Sequence, residues 1–224
     1  FLYAAYIAHT PLLLVGPNGL DIADALSIAL FGRTASILRC ESKYDPGVIE
    51  QCINDENPII AVLNLLHTGW VNNIHELLAK MERKFVIIIH PFAEDLLIEP
   101  RGLYNYMLPV LTELFVDQKA TRNFVGGCFH SDFQNYTPAK PQKSIPLSAK
   151  LAMPSLVKNR LCQILSDMKV LLENDSNDSD LLFGTVPYAY ATGKIEIIRE
   201  EIQSNQSFSK DTKTLLLSFL GESE

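Results

Sequence analysis

A turn near the start of the chain carries the residue types from which phosphate-binding sites are built. An apolar run over residues 11–15 leads into the turn, and an amphipathic helix is predicted over residues 22–31. Glycines let backbone N–H groups curl around a phosphate, proline fixes its own φ, and a helix N-terminus favours an anion. The spacing thus has the outline of a phosphate-binding loop, formed by Gly16, Pro17, Asn18 and Gly19.

The side chains that would carry the chemistry of such a loop are missing. A working loop adds a lysine that reaches the β- and γ-phosphates and a Ser or Thr hydroxyl for Mg²⁺. Counted from Gly16, the last glycine position and these two positions hold Asp21, Ile22 and Ala23. At short range the Asp21 carboxylate would repel a phosphate by about 1 kcal/mol or more, whereas it suits the start of a helix. The sequence therefore predicts a strand–turn–helix that folds without binding phosphate tightly.

A second chemical site is expected after the third predicted strand, residues 58–66. In nucleotide hydrolases two acids at the end of such a strand hold magnesium and activate water. Here the two positions read Asn64 and Leu65. An amide has no charge to hold Mg²⁺ firmly, and a leucine cannot polarise water. We predict no catalytic residue at this strand.

The histidines show no metal-ligand spacing. His67 follows the third strand and His75 lies on the next predicted helix, so the two do not have the i, i+4 spacing of a metal pair. His90 ends the apolar run KFVIIIHP, at the edge where ligands of parallel sheets bind. It is either part of a ligand site or a structural histidine bonded to backbone. The sequence predicts no metal site.

The order of the elements predicts the fold. Continuous apolar runs indicate strands covered on both faces, as in a parallel sheet, and helical patterns alternate with them. We predict a three-layer α/β sandwich with a mostly parallel central sheet over residues 1–145 and a small all-helical lid over residues 146–224. Strands are predicted at residues 11–15, 36–40, 58–66 and 84–91, and helices at 22–31, 48–53, 71–84, 104–111, 154–172, 194–203 and 209–220.

Composition limits the classes of partner. The chain has 224 residues, is 47% hydrophobic and carries a net charge of −7, which argues against a broad nucleic-acid-binding surface. No apolar run approaches the roughly 18 to 20 residues that span a bilayer. The four cysteines form no CxxC pair, which is typical of reduced cysteines in a cytosolic protein. We expect a cytoplasmic protein without a membrane partner and, because it begins at Phe1, a fragment of a longer polypeptide.

In its element order the chain resembles the AAA+ superfamily of P-loop NTPases, and within it the branch of McrB-type restriction GTPases and MoxR-type ATPases. Residues 64–78, NLLHTGWVNNIHELL, have the length of the family's segment that runs from the Walker B acids to a helix ending in Glu-Leu-Leu. His90 and Pro91 occupy the position of its sensor Asn-Pro. Glu113 and Leu114 fall near the expected arginine. Arg160 is either a sensor-2 counterpart or a solvated helix charge.

The resemblance implies a catalytically degenerate module, a pseudo-ATPase that acts as a scaffold or regulator of other AAA+ domains or subunits. The assembly could be a restriction or phage-defence system with a nuclease or effector, in which nucleic acid is contacted only indirectly. No cofactor is expected. Two alternatives stay open: binding of ATP or GTP with Mg²⁺ through non-standard residues, and a stand-alone protein- or nucleic-acid-binding module. The vestigial nucleotide-binding positions are Gly16, Pro17, Asn18, Gly19, Asp21, Ile22, Ala23, Asn64, Leu65, His90 and Arg160.

Overall fold

A five-stranded parallel sheet forms the centre of the molecule, in the order β2-β3-β4-β1-β5. The computed structural model describes residues 1–41, 43–115, 136–173, 177–205 and 208–221. The strands are β1 (Leu12–Val15), β2 (Ser36–Arg39), β3 (Ile59–Leu63), β4 (Phe85–His90) and β5 (Leu108–Leu111). All side chains of β1 and β5 and nearly all of those of β3 and β4 are buried, which explains the continuous apolar runs in the sequence.

Helices connect the strands and then form the second part of the chain. They are α1 (Leu2–Ile7), α2 (Gly19–Phe31), α3 (Pro46–Asn54), α4 (Ile74–Lys80), α5 (Ser155–Leu172), α6 (Asn177–Asp180), α7 (Val186–Ala191), α8 (Ile195–Ser204) and α9 (Lys210–Phe219). A π-helical turn, Leu181–Thr185, joins α6 to α7. Short 3-10 turns cover Val71–Asn73, Glu94–Leu97, Arg101–Asn105 and Thr112–Leu114.

The α/β prediction with a parallel sheet is confirmed, and the helices are compatible with three layers. Helix α2 packs on β3 and β4, whereas α3 packs on β2 and α4. The β1–β2 and β2–β3 connections cross the sheet in opposite directions. Right-handed crossovers therefore place α2 and α3 on opposite faces.

The helix predicted over residues 104–111 is wrong. The chain forms the 3-10 turn Arg101–Asn105 and then β5, which pairs with β1 so that Pro109 lies opposite Leu13. Proline has no N–H to donate, and it is tolerated because β5 is the outermost strand of the sheet that the described residues form. The hydrogen-bonded pairing of residues 108–111 with β1 determines the local structure here, although the sequence pattern favours a helix.

The long helix predicted over residues 154–172 is confirmed as α5, and the last two predicted helices are confirmed as α8 and α9. The preceding loop, described from Tyr136, is tied to α5 by buried polar groups. Asp167 accepts hydrogen bonds from the Ala139 N–H and the Tyr136 hydroxyl, and the Ser166 hydroxyl accepts one from the Gln142 N–H. The boundary at residues 145/146 stays a prediction.

Buried aromatic and thiol groups belong to the core. Trp70, 1% exposed, donates its indole N–H to the Glu41 carbonyl at 2.7 Å and meets Tyr44 edge-on. Burial raises the pKa of the Cys40 thiol to about 12, so it is not a thiolate at neutral pH. Cys128 lies outside the described residues. None of the helices described is both long and apolar enough to cross a membrane.

Gly16 provides a test of the turn after β1. It has φ +112°, and a Cβ added there would lie 2.6 Å from the Thr112 Oγ1. We expect Gly16→Ala to lower the free energy of unfolding by about 2 kcal/mol or more, because backbone strain and a steric clash add. Urea denaturation measures the change.

Gly102→Ala is the matched control, since a Cβ at Gly102 meets nothing within 4 Å. We expect its free energy of unfolding to stay within about 0.5 kcal/mol of the wild-type value. Equal effects of the two substitutions would contradict the geometry of the turn.

Candidate functional site

The turn after β1 is shorter than its sequence suggested. Strand β1 ends at Val15 and α2 already begins at Gly19, three residues before the predicted start of the helix, so only residues 16–18 form the turn. Asn18 adopts the left-handed conformation, with φ 62°. The Gly16 N–H, which could have pointed at a ligand, donates to the His90 carbonyl at 2.9 Å. The turn therefore closes by main-chain bonding to the neighbouring strand.

Thr112 packs against the inside of this turn. Its hydroxyl oxygen lies 3.1 Å from the Val15 carbonyl oxygen and 2.8 Å from that of Pro17. Thr112 is 1% exposed and is the first residue after β5. A hydroxyl has one proton to donate, so the two carbonyls share it. The side chain thus joins the ends of β1 and β5 through the turn.

The position of the expected lysine faces an apolar cavity. Ile22 lies in the first turns of α2 and lines a cavity of about 610 Å³ together with Leu26, Leu171 and Phe183. Ala23 is fully buried, and Asp21 is exposed at the start of the helix. Ile22 and Ala23 are therefore used for packing between α2 and neighbouring elements.

The two positions that correspond to the Walker B acids directly follow β3, and they differ in their exposure to solvent. Asn64 is exposed and has φ 59°, a left-handed conformation that asparagine tolerates better than most residues. Leu65 is 1% exposed and belongs to the core. The local chain direction after β3 is thus determined by a turn residue and a buried leucine.

Two histidines and an aspartate meet at the carboxyl ends of β3 and β4. His90 is the last residue of β4, His67 lies in the loop after β3, and Asp95 lies in the 3-10 turn Glu94–Leu97. The Asp95 Oδ2 is 2.7 Å from the His90 Nε2 and 3.1 Å from the His67 Nε2. One ligand atom from each of the three lies within 4.8 Å of the others. We name these three residues, with Glu99, the histidine cluster.

Glu99 contacts the other side of His67. Its Oε1 is 3.1 Å from the His67 Nδ1 and accepts the His67 backbone N–H at 2.9 Å. The Glu99 side chain is only 7% exposed. Both ring nitrogens of His67 thus face carboxylate oxygens, although a neutral imidazole has one N–H and one lone pair. A neutral ring can therefore donate to only one of the two carboxylates.

Hydrogen bonding stabilises the charged form of Asp95. The bond to His90, then the bond to His67, hold the pKa of the Asp95 carboxyl below its usual value. Asp95 is therefore a carboxylate at neutral pH, and its Oδ2 is directed at both rings. The cluster combines two imidazoles and one ionised carboxylate, a donor set suited to a divalent cation.

Arg160 has a structural partner in this structure. Its Nη1 donates to the Asn105 carbonyl at 2.8 Å, and burial lowers the pKa of the guanidinium. This bond joins α5 to the 3-10 turn Arg101–Asn105. Its possible sensor role stays a prediction.

The sequence analysis treated His67 and His90 as unrelated, and the structure brings their rings to a centroid separation of 5.6 Å. The available signal was that each histidine follows one of two successive apolar strands. If those strands are parallel neighbours, their carboxyl ends meet at one edge of the sheet. Spacing along the chain carries no sign of this pairing. Another histidine, His130, lies outside the described residues.

Comparison of the chain with protein-family models, with curated proteins and with solved structures finds no match. The description of the site therefore depends on the geometry of this chain.

Thr112→Val tests whether the hydroxyl stabilises the turn. The change keeps the side-chain shape but removes the only proton that Thr112 offers to the Val15 and Pro17 carbonyls. We expect the free energy of unfolding to fall by about 1–3 kcal/mol, because a buried acceptor loses its donor. Chemical denaturation followed by circular dichroism measures it.

Thr214→Val is the control for the same chemical change on an exposed helix position. The Thr214 hydroxyl bonds to the Lys210 carbonyl of its own helix. We expect a change of less than about 0.5 kcal/mol. If Thr112→Val is as harmless as this control, Thr112 does not stabilise the turn.

Proposed function

We propose that this chain is a P-loop-like α/β domain, resembling AAA+ modules, that does not hydrolyse nucleotide. In this proposal it acts as a scaffold or regulatory domain beside other AAA+-type domains. The observation that carries the proposal is the three-residue turn after β1, closed by the Gly16–His90 main-chain bond and by Thr112.

The location of the turn supports the P-loop comparison. Strand β1 lies between β4 and β5 in the sheet. The chain runs from β1 to β2, toward one edge of the sheet, and from β4 to β5, toward the other edge. The chain therefore departs in opposite directions from two adjacent carboxyl ends. Ligands of open α/β sheets bind in the crevice at such a switch point. The turn and His90 both lie there.

The chemistry of the turn supports the loss of catalysis. A triphosphate requires several free amide donors, a lysine and a hydroxyl for magnesium. Here the Gly16 amide is bonded to His90, the lysine position is Ile22 against an apolar cavity, and Ala23 is buried. Asp21 adds a negative charge beside the turn.

Exposed apolar side chains near the same edge support a role in protein binding. Phe92, Leu97 and Ile98 are 56%, 51% and 74% exposed, and they flank Asp95 in the sequence. Such residues on a folded surface are suited to an interface with another protein. Active AAA+ domains of a restriction, phage-defence or chaperone-like assembly are the partners that the sequence resemblance implies.

Isothermal titration calorimetry with ATP and GTP, each with Mg²⁺, tests the absence of nucleotide binding. We expect no binding with Kd below about 100 μM, or roughly −5.5 kcal/mol. Ile22→Lys is the matched variant. We expect that it also does not bind nucleotide, because the side chain at position 22 faces the cavity. Tighter binding by the wild-type chain would favour the alternative of a nucleotide-binding domain. Binding that appears only in Ile22→Lys would contradict the placement of position 22 away from the phosphate site.

A photo-crosslinking amino acid at position 98 tests the interface in cells. We expect crosslinks from position 98 to a chain with an AAA+-type domain, identified by mass spectrometry. Position 215, which is 42% exposed on α9, is the control. No crosslink at 98, or the same products from both positions, would contradict the proposed interface.

A further inference from the structure

We propose that the histidine cluster binds a divalent first-row transition-metal ion, with Zn²⁺ as the best match. His67, His90 and Asp95 are the ligands, and Glu99 positions His67. Binding of a metal here does not depend on whether nucleotide binds, because the cluster uses no residue of the turn after β1 and, of the vestigial nucleotide-binding positions, only His90.

The ligand atoms already lie close to the separations that a metal requires. Zinc–nitrogen and zinc–oxygen bonds of about 2.1 Å in a tetrahedron place neighbouring ligand atoms roughly 3.4 Å apart. The Asp95 Oδ2 lies 2.7 Å from one imidazole nitrogen and 3.1 Å from the other. For these two pairs, relative displacements of roughly 0.3 to 0.7 Å would reach the tetrahedral separation. The two imidazole ligand atoms lie within 4.8 Å of each other.

Glu99 gives His67 the tautomer that a metal ligand needs. Metal-binding histidines commonly donate the N–H of the second ring nitrogen to a carboxylate or carbonyl. The His67 Nδ1 lies 3.1 Å from the Glu99 Oε1, so that with the proton on Nδ1 the Nε2 lone pair is available to an ion, which would replace the hydrogen bond between Nε2 and Asp95. Because Glu99 also accepts the His67 backbone N–H, its carboxylate is fixed relative to the ring. The contact of His67 with two carboxylates, unfavourable for a neutral ring without a cation, is then explained.

The negative charge of the histidine cluster and its exposure to solvent also favour binding of a cation. Within the described part of the chain, the ion-pair partners of Asp95 and Glu99 are the two histidines. With neutral rings the cluster carries two negative charges, which a divalent ion balances. The His67 side chain is 42% exposed and that of Asp95 is 23% exposed, so an ion can enter and water can complete its coordination. Three protein ligands and an open position are the arrangement of reactive zinc sites.

The competing explanation is a doubly protonated His67 that bridges the two carboxylates without a metal. Titration of the chelator-treated chain with Zn²⁺, in competition with a chromophoric chelator, separates the two. We expect one equivalent of Zn²⁺ per chain and, with Co²⁺, the visible d–d bands of a tetrahedral complex. Absence of stoichiometric binding at the cluster would overturn the proposal.

Three variants test the assignment of residues. His67→Asn removes a ligand while keeping a residue that tolerates the φ of 61° at this position, and we expect affinity to fall at least about 100-fold. Glu99→Gln keeps an acceptor but removes the charge, and we expect a decrease of about 10-fold. His75→Asn alters an exposed histidine outside the cluster, and we expect wild-type affinity.

Circular dichroism and thermal unfolding of the metal-free variants verify that each is folded before binding is compared. The difference in Tm with and without Zn²⁺ gives a second readout, since a ligand that binds the native state stabilises it. We expect that difference to be lost in His67→Asn and retained in His75→Asn. Wild-type affinity in His67→Asn would overturn the proposal.

Discussion

The short main-chain and hydroxyl bonds at the turn after β1 join three strands at one point. The Gly16 N–H bonds to the end of β4, and Thr112, which follows β5, bonds to the carbonyls on both sides of Gly16. A side chain at Gly16 would collide with the Thr112 hydroxyl. The close approach of β1, β4 and β5 at this edge therefore requires a glycine at the turn. Helix α2 begins directly after this turn, and the main chain of His90 is bonded to it.

The closed turn after β1 connects the fold to the two proposed activities, binding of a protein partner and binding of a metal ion. The turn spans only three residues and its Gly16 N–H is already bonded to the His90 carbonyl, which under the proposed function leaves a phosphate fewer donors. It also holds the end of β4 in place, and with it the His90 ring that meets Asp95 and His67. An edge suited to nucleotides in related architectures thus presents imidazoles and carboxylates instead. On the two proposals made above, the domain binds a partner and a metal ion and does not transfer phosphate.

Much of the fold was predictable because it is encoded locally. Apolar runs marked β1, β3 and β4, the short segment 36–40 marked β2, and the 3.6-residue pattern marked α5, α8 and α9. The helix predicted at residues 104–111 was wrong because the decisive interaction, pairing of β5 with β1, joins residues far apart in sequence. The start of α2 was misplaced for a similar reason: the turn is shortened by contacts with Thr112 and His90.

The sequence by itself determined the alternation of strands and helices and the absence of lysine, hydroxyl and acidic groups at the positions where a nucleotide hydrolase needs them. These are properties of residue type and local spacing. Only the tertiary structure decided that His67, His90 and Asp95 meet, because their proximity depends on the parallel pairing of β3 with β4. It also decided that Ile22 faces a cavity, since that orientation depends on how α2 packs. Chemistry built from distant residues is established by strand pairing and helix packing, which local pattern does not specify.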